Sequence, residues 1–249
     1  MMRTLRELYA PGSNRASGIQ VDDLIYVSGL EPERRSDEVS PEEIRCQTQQ
    51  VLSSMQSMLR DAGGSPANLA RVTGYVLDAG EQREAVYDCW DKLFPGVADK
   101  PAFKILDAPL PEGILVRFDF MALVGQTRTR IDIPGVDARD PTVRIGNWLL
   151  TSRLHGTSPQ TGETVQGLEA QARQAVQNGI RLVELAGGSA QDVTQICGFG
   201  RDLNYVPSLR KVIEEEFDGV GPIPSFQAVT TFVRPVLEVM VELTARLKD

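Results

Sequence analysis

The stretch Ala62-Gly63-Gly64-Ser65 recurs as Ala186-Gly187-Gly188-Ser189, an offset of about 124 residues. Working outward from it, Gly74 and Asp78 meet Gly198 and Asp202 at the same offset. Further on, Phe94 meets Phe217, Pro101-Ala102-Phe103 meets Pro224-Ser225-Phe226, and Asp119 meets Glu242. There the offset is shorter by a single position, as one loop deletion would leave it. Solenoid repeats, with periods of roughly 20 to 50 residues, are excluded. The chain therefore reads as two copies of one domain, residues 1–126 and a more diverged 141–249, joined by a Pro/Gly-containing linker over 127–140.

Within each copy the hydrophobic periods alternate between two and about 3.6. Ser40-Pro41-Glu42-Glu43 starts a helix: Ser40 caps, Pro41 takes the tolerated first position, and Glu43 can close a capping box. From there Ile44, Thr48, Val51, Leu52, Met55 and Leu59 fall on one face. The matching face in the second copy is Leu168, Ala172, Ala175, Val176, Gly179 and Val183, after Thr164 in the cap position. Its smaller residues predict closer packing against a sheet. β-branched runs predict strands at 24–29, 69–76 and 114–124, and again at 147–152, 193–199 and 237–245. Second helices are predicted near 82–93 and 206–217. Each half reads β-β-α-β-α-β-β, an α+β fold with two helices on one sheet face.

Composition bounds the function classes. With 249 residues, 41% hydrophobic, 24% charged and net charge -8, the chain suits two modest cores. Without a basic run, nucleic acid is a disfavoured partner, because phosphate neutralisation supplies most nonspecific affinity. Cys46, Cys89 and Cys197 show neither disulfide-framework nor metal-ligand spacing and read as core thiols of a reducing compartment. The start, MMRTLRELYAPG, lacks the apolar run of a signal peptide, and no stretch has the length of a membrane span. The expectation is a cytoplasmic protein without membrane partners.

Several motifs together resemble the Rid family, also called YjgF or endoribonuclease L-PSP-like. They are Tyr26-Val27-Ser28-Gly29, the capped helix ending in Ala62-Gly63-Gly64-Ser65, Asn68-Leu69-Ala70-Arg71-Val72-Thr73, Phe94-Pro95-Gly96, Lys100-Pro101-Ala102 and Pro109-Leu110-Pro111. The second half is similar through Pro159-Gln160-Thr161-Gly162-Glu163, its own Ala-Gly-Gly-Ser and Asp202-Leu203-Asn204. The resemblance implies two chorismate-mutase-like domains, assembly as a homotrimer, and small ligands held in clefts between domains. It also implies cofactor-free hydrolysis of enamines and imines to ketones and ammonia. That reaction needs an anchor for the substrate carboxylate and polar groups that hold a water.

In the family the anchor is the arginine of a Pro-Ala-Arg-Ser segment. Here the equivalents are Pro101-Ala102-Phe103-Lys104 and Pro224-Ser225-Phe226-Gln227, with phenylalanine in both copies. Phe103 and Phe226 either line a flatter, more apolar cleft suited to an unsaturated or aromatic acid or fill core. Lys104 and Gln227 accompany them. Arg117 falls where the family shows a glutamate, with Met240 opposite in the second copy. It is either a ligand cation or an exposed arginine paired with a carboxylate. Asp119 and Glu242 hold one position in both copies and are the candidate water-orienting or basic groups. His155, the sole histidine, is a candidate proton shuttle, with Arg153 beside it for an anion. Asn204 is a ligand contact or part of a helix cap. No metal site, phosphate loop or serine nucleophile elbow is present in the sequence. The leading expectation is a divergent hydrolase, deaminating or isomerising an imine, enamine or related unsaturated acid. The alternative is a noncatalytic ligand-binding or assembly protein, and ribonuclease activity is third.

Overall fold

A computed structural model describes residues 5–33, 35–136, 139–218, 221–230, 232 and 234–248. It divides into two compact units, Met1–Arg128 and Thr129–Asp249.

Unit 1 runs β1 (Leu5–Tyr9), β2 (Ala16–Val21), β3 (Leu24–Leu30), α1 (Pro41–Asp61), β4 (Leu69–Val76), α2 (Ala79–Leu93), β5 (Ala102–Asp107) and β6 (Val116–Leu123). The sheet order is β1-β2-β3-β6-β4-β5. Only β4 and β5 pair in parallel, and α2 supplies the long crossover such a pair requires. The first expected helix forms where its signals lie: Ser40 Oγ accepts from the Glu43 backbone N–H at 3.3 Å, with Pro41 at the first turn. The whole predicted face of α1 is buried. It joins Val72, Val76, Phe118 and Phe120 of the sheet and Val86 and Trp90 of α2 in one core.

Unit 2 runs β7 (Arg128–Ile131), β8 (Thr142–Ile145), β9 (Trp148–Leu150), β10 (Leu154–His155), α3 (Leu168–Leu185), β11 (Val193–Gly200), α4 (Val206–Glu216), β12 (Ile223–Ala228) and β13 (Val239–Arg246). The order is β12-β11-β13-β9-β8-β7, with β10 paired to β13. The small residues of α3 do admit close packing: a Cβ on Gly179 would meet Leu243 Cδ1 at 2.6 Å. Both units are mixed sheets carrying two helices, the α+β class expected from the periodicities.

Three differences from the sequence reading have physical causes. An extra strand opens unit 1, because in β1 only Leu8 is buried and its alternation is too weak to read. Arg128–Ile131 of the expected linker form a strand. Thr164 does not cap α3. It bridges Thr157, and the helix starts at Leu168 after Gly167 in a left-handed conformation (φ 88°). Cys89 and Cys197 are buried and Cys46 half-buried, and burial pushes the Cys89 thiol up. Among the described residues, no helix is long and apolar enough to cross a membrane.

Candidate functional site

Alternation along β6 separates core from candidate site. Val116, Phe118 and Phe120 are buried on the helix side, while Arg117 and Asp119 lie half-buried on the other face. Tyr75 pairs with Arg117 and Thr73 with Asp119 across the β4–β6 ladder, and Lys104 pairs with Thr73 across β4–β5. Paired residues share a face, so Asp119, Thr73 and Lys104 form one row and Arg117 and Tyr75 the next.

Asp119 is held by three donors. Its Oδ1 accepts from the Gly29 backbone N–H at 2.7 Å and from Ser28 Oγ at 3.1 Å, and its Oδ2 accepts from the Tyr75 hydroxyl at 3.1 Å. The first two come from a bulge. Between Val27 and Leu30 the β3 register slips by one residue against β6, and Gly29 takes φ 69° there. A glycine enters that left-handed region without steric cost, which aims its N–H at the carboxylate. The Arg117 guanidinium lies over the Tyr75 ring at 4.9 Å. Its Nε is buried and has no hydrogen-bond partner among the described residues. A buried donor left unmade costs about 1–3 kcal/mol. Tyr75 thus touches both functional groups, ring under the cation and hydroxyl on the acid. Sequence reasoning missed Ser28, Gly29 and Tyr75 as partners, although Tyr26-Val27-Ser28-Gly29 was itself a recognisable motif.

Phe103 requires a correction. It is 1% exposed and stacks on Trp90 with centroids 4.0 Å apart, edge-on to Tyr87 at 5.5 Å. Strand parity points it to the helix side of β5, away from the row that holds Lys104, so it fills core instead of lining a cleft. Phe226 takes the same side of β12, packed edge-on to Tyr205 at 6.2 Å and under Arg210 at 5.1 Å.

In unit 2, Glu242 is buried opposite Cys197, and Met240 stands opposite Phe199 as Arg117 stands opposite Tyr75. Gln227 pairs with Phe199; its side chain is exposed while its backbone is tied to the Tyr205 hydroxyl. Asn204 is exposed and acts through its backbone: its N–H donates to Asp202 Oδ1 at 2.8 Å. Asp202 is the cap, as Asp78 is in unit 1, where its Oδ1 accepts from Gly80 and Glu81. The capping role suggested for Asn204 thus belongs to Asp202.

His155 sits on β10 opposite Met240, with Nδ1 3.3 Å from Arg234 Nη2. Its pKa is pushed down from 6.5 to about 4, by burial first and then by Arg234 and Arg153. It is a neutral imidazole at neutral pH. The Arg153 guanidinium lies 6.0 Å from the Phe199 ring. Arg234 carried no signal in the sequence. Among the described residues, no group of three or more His, Cys, Asp or Glu is placed to hold a metal ion.

The sequence pattern of the family described as Endoribonuclease L-PSP matches residues 7–124 and again 139–247. A RutC family protein of Haemophilus influenzae is 36% identical over 75 residues, which is 30% of this chain and 58% of that protein. The 2-iminobutanoate/2-iminopropanoate deaminase of Escherichia coli K12 is 35% identical over 75 residues, 30% of this chain and 59% of the deaminase. The chain thus spans less than two thirds of the length of either relative. The structure of the YjgF gene product of Escherichia coli aligns with 43% of this chain and 86% of its own, at 27% identity and TM-score 0.40. Matched once in each unit and over most of its length, the chain belongs to the Endoribonuclease L-PSP family.

Proposed function

We propose that the protein is a divergent Rid-like hydrolase that converts a small imine or enamine acid to the corresponding keto acid and ammonia, with unit 1 contributing Asp119, Arg117, Tyr75 and Lys104. The observation that carries this reading is a buried guanidinium N–H without a partner beside a carboxylate held by three donors. The orphan donor on Arg117 matches a substrate carboxylate, for which a guanidinium is the natural fork. Asp119, fixed in orientation, takes a proton from water as the water oxygen bonds to the iminium carbon. It returns that proton to nitrogen; as the C–N bond breaks and ammonia leaves, the carbinol oxygen closes to the keto C=O and gives its remaining proton to Asp119, which passes it to the departing ammonia as ammonium. The partial similarity to an iminobutanoate deaminase supports the same class. The remaining parts of the reading are a homotrimer, a cytoplasmic location and cofactor-free chemistry.

A second reading, ligand binding without turnover, is favoured by Phe103: the position of the family's anchoring arginine is here committed to the core. One experiment separates the two. Ammonia release from freshly generated 2-iminopropanoate is followed with and without protein, alongside calorimetry with a stable keto-acid product. Acceleration supports the hydrolase, binding without acceleration supports the second reading, and neither result sinks both.

A further inference from the structure

A buried amide interrupts the apolar face of the first long helix in each unit. Gln47 lies between Ile44 and Val51 on the buried face of α1 and is 0% exposed, and Gln171 holds the same place in α3 at 1%. Such a group must find partners inside the fold. Both find them in the backbone just ahead of the last strand of their own unit. Gln47 Oε1 accepts from the Leu115 N–H at 2.8 Å, and its Nε2 donates to the Gly113 carbonyl at 2.9 Å. Gln171 Oε1 accepts from the Glu238 N–H at 2.9 Å, and its Nε2 donates to the Val236 carbonyl at 2.9 Å. Gly113 corresponds to Val236 and Leu115 to Glu238, by the same offset that joins Asp119 to Glu242. The side chains at both places have changed while the contact has stayed, because it uses only backbone atoms.

In unit 1 this contact stands next to the candidate site. Leu115 immediately precedes β6, the strand of Arg117 and Asp119. The Gly113 carbonyl also accepts from the Ser36 N–H at 3.0 Å, and Arg35 Nη1 donates to the Glu112 carbonyl at 2.7 Å. The chain leaving β3 and the chain entering β6 are therefore joined at the atom that Gln47 holds. β3 carries the bulge whose Ser28 and Gly29 donate to Asp119. Beyond that bulge, among the described residues, a single pair, Leu30 with Phe118, ties β3 to β6. So little pairing leaves the register there to other contacts, and a slip of one residue would turn Asp119 to the helix face.

We propose that Gln47 is a positioning residue for the hydrolysis: by fixing where β6 begins, it holds Asp119 against its Ser28 and Gly29 donors and Arg117 over Tyr75. The inference rests on the reading of unit 1 as the hydrolase. An amide suits the task because it offers one donor and one acceptor, as a peptide group does, and its two backbone partners fix which end is which. Gln171 makes the same clamp ahead of β13, where Met240 stands in the place of Arg117. No chemistry proposed for unit 1 depends on it, so the duplication supplies its own control.

Gln47→Met keeps the length of the side chain and removes both hydrogen bonds, and Gln171→Met does the same in unit 2. Ammonia release from freshly generated 2-iminopropanoate is measured on each folded full-length protein, with its melting temperature. Gln47→Met should lower kcat by about tenfold or more, since misplacing a catalytic group by about 1 Å can cost ~100-fold. Gln171→Met should keep the kcat and KM of the parent, whatever it loses in melting temperature. A clamp that only stabilises the fold would lower the melting temperature of Gln47→Met and leave kcat and KM unchanged, and that result overturns the proposal. An equal loss of kcat in both variants overturns it too. If Gln47→Met does not fold, Gln47→Glu, which keeps the acceptor for Leu115, takes its place in the same comparison. Native-state hydrogen exchange at the Gly29 N–H gives a second readout that needs no turnover. It should be faster in Gln47→Met than in the parent and unchanged in Gln171→Met. If the parent releases no ammonia, the hydrolase reading falls, and this exchange still decides whether Gln47 positions the Asp119 site: an unchanged rate in Gln47→Met shows that it does not.

Discussion

The two copies differ most in what single side chains are asked to do. Asp119 has three donors from three separate positions, so its replacement by asparagine keeps the shape while removing the proton acceptor. Asp119→Asn is expected to lower kcat for imine hydrolysis by about 100-fold or more, the usual scale of general acid–base catalysis. Arg117→Ala should act mainly on KM, since it removes a carboxylate anchor; steady-state ammonia release distinguishes these effects. Trp90 is fully buried between Phe103 and Phe94, with centroids 4.0 and 4.6 Å away. Trp90→Ala should cost about 3–5 kcal/mol in urea denaturation, by cavity formation. His155 gives a pH signature. Its folded pKa lies below the ordinary 6.5, at about 4, so the neutral ring is favoured by folding. The stability it contributes is complete above about pH 6.5 and is lost as pH falls through 4, because the unfolded chain takes up the proton first. Arg153 and Arg234 face it and add to the downward shift. Thermal melts from pH 7.5 to 4 should therefore slope less steeply for His155→Gln than for the parent. At this scale the sequence singled out Asp119, Arg117 and His155 as candidates, but not the side chains that surround them. Ser28, Tyr75 and Arg234 are far from them in sequence and become neighbours only through strand pairing.

At the level of elements, one contact has been kept with its charges exchanged. In unit 1 Arg45 of α1 pairs with Asp88 of α2 at 2.8 Å. In unit 2 the same two positions are Glu169 of α3 and Lys211 of α4, paired at 2.9 Å. The geometry between the two helices has thus outlasted the identity of both partners. Exposed pairs of this kind contribute about 0–1 kcal/mol. Arg45→Glu alone should destabilise unit 1 slightly by setting two acids together. Adding Asp88→Lys should restore the parent value to within about 0.5 kcal/mol. A double-mutant cycle in urea checks this. Helix existence was legible because Ser40, Pro41 and the buried stripe from Ile44 to Leu59 act locally. The start of α3 was not, because Thr157 pairs with Thr164 across a loop and displaces the cap to Gly167.

For the whole molecule, unit 1 leaves an apolar strip on the face of its sheet opposite the helices. Leu5 is 67% exposed, Tyr26 50% and Ile19 40%, and Ile19 pairs with Tyr26. Apolar side chains exposed together on one sheet face are the kind of surface that an interface between copies would cover. In light scattering the expected mass is three times that of the chain, and Tyr26→Lys with Ile19→Lys should shift it toward smaller species. A monomeric parent would remove the trimer from the reading. The sequence by itself determined the duplication, the α+β class, and the helices and central strands of each copy. Those follow from local periodicity, caps and turns, which need no distant partner. Tertiary structure alone decided that Phe103 fills core, that Asp202 and not Asn204 caps its helix turn, and that Tyr75 joins Arg117 to Asp119. It also decided that a guanidinium reaches the same aromatic position from β6 in one unit and from the segment after β9 in the other. Strand parity and register set those outcomes, because a shift of one residue sends a side chain to the opposite face of the sheet.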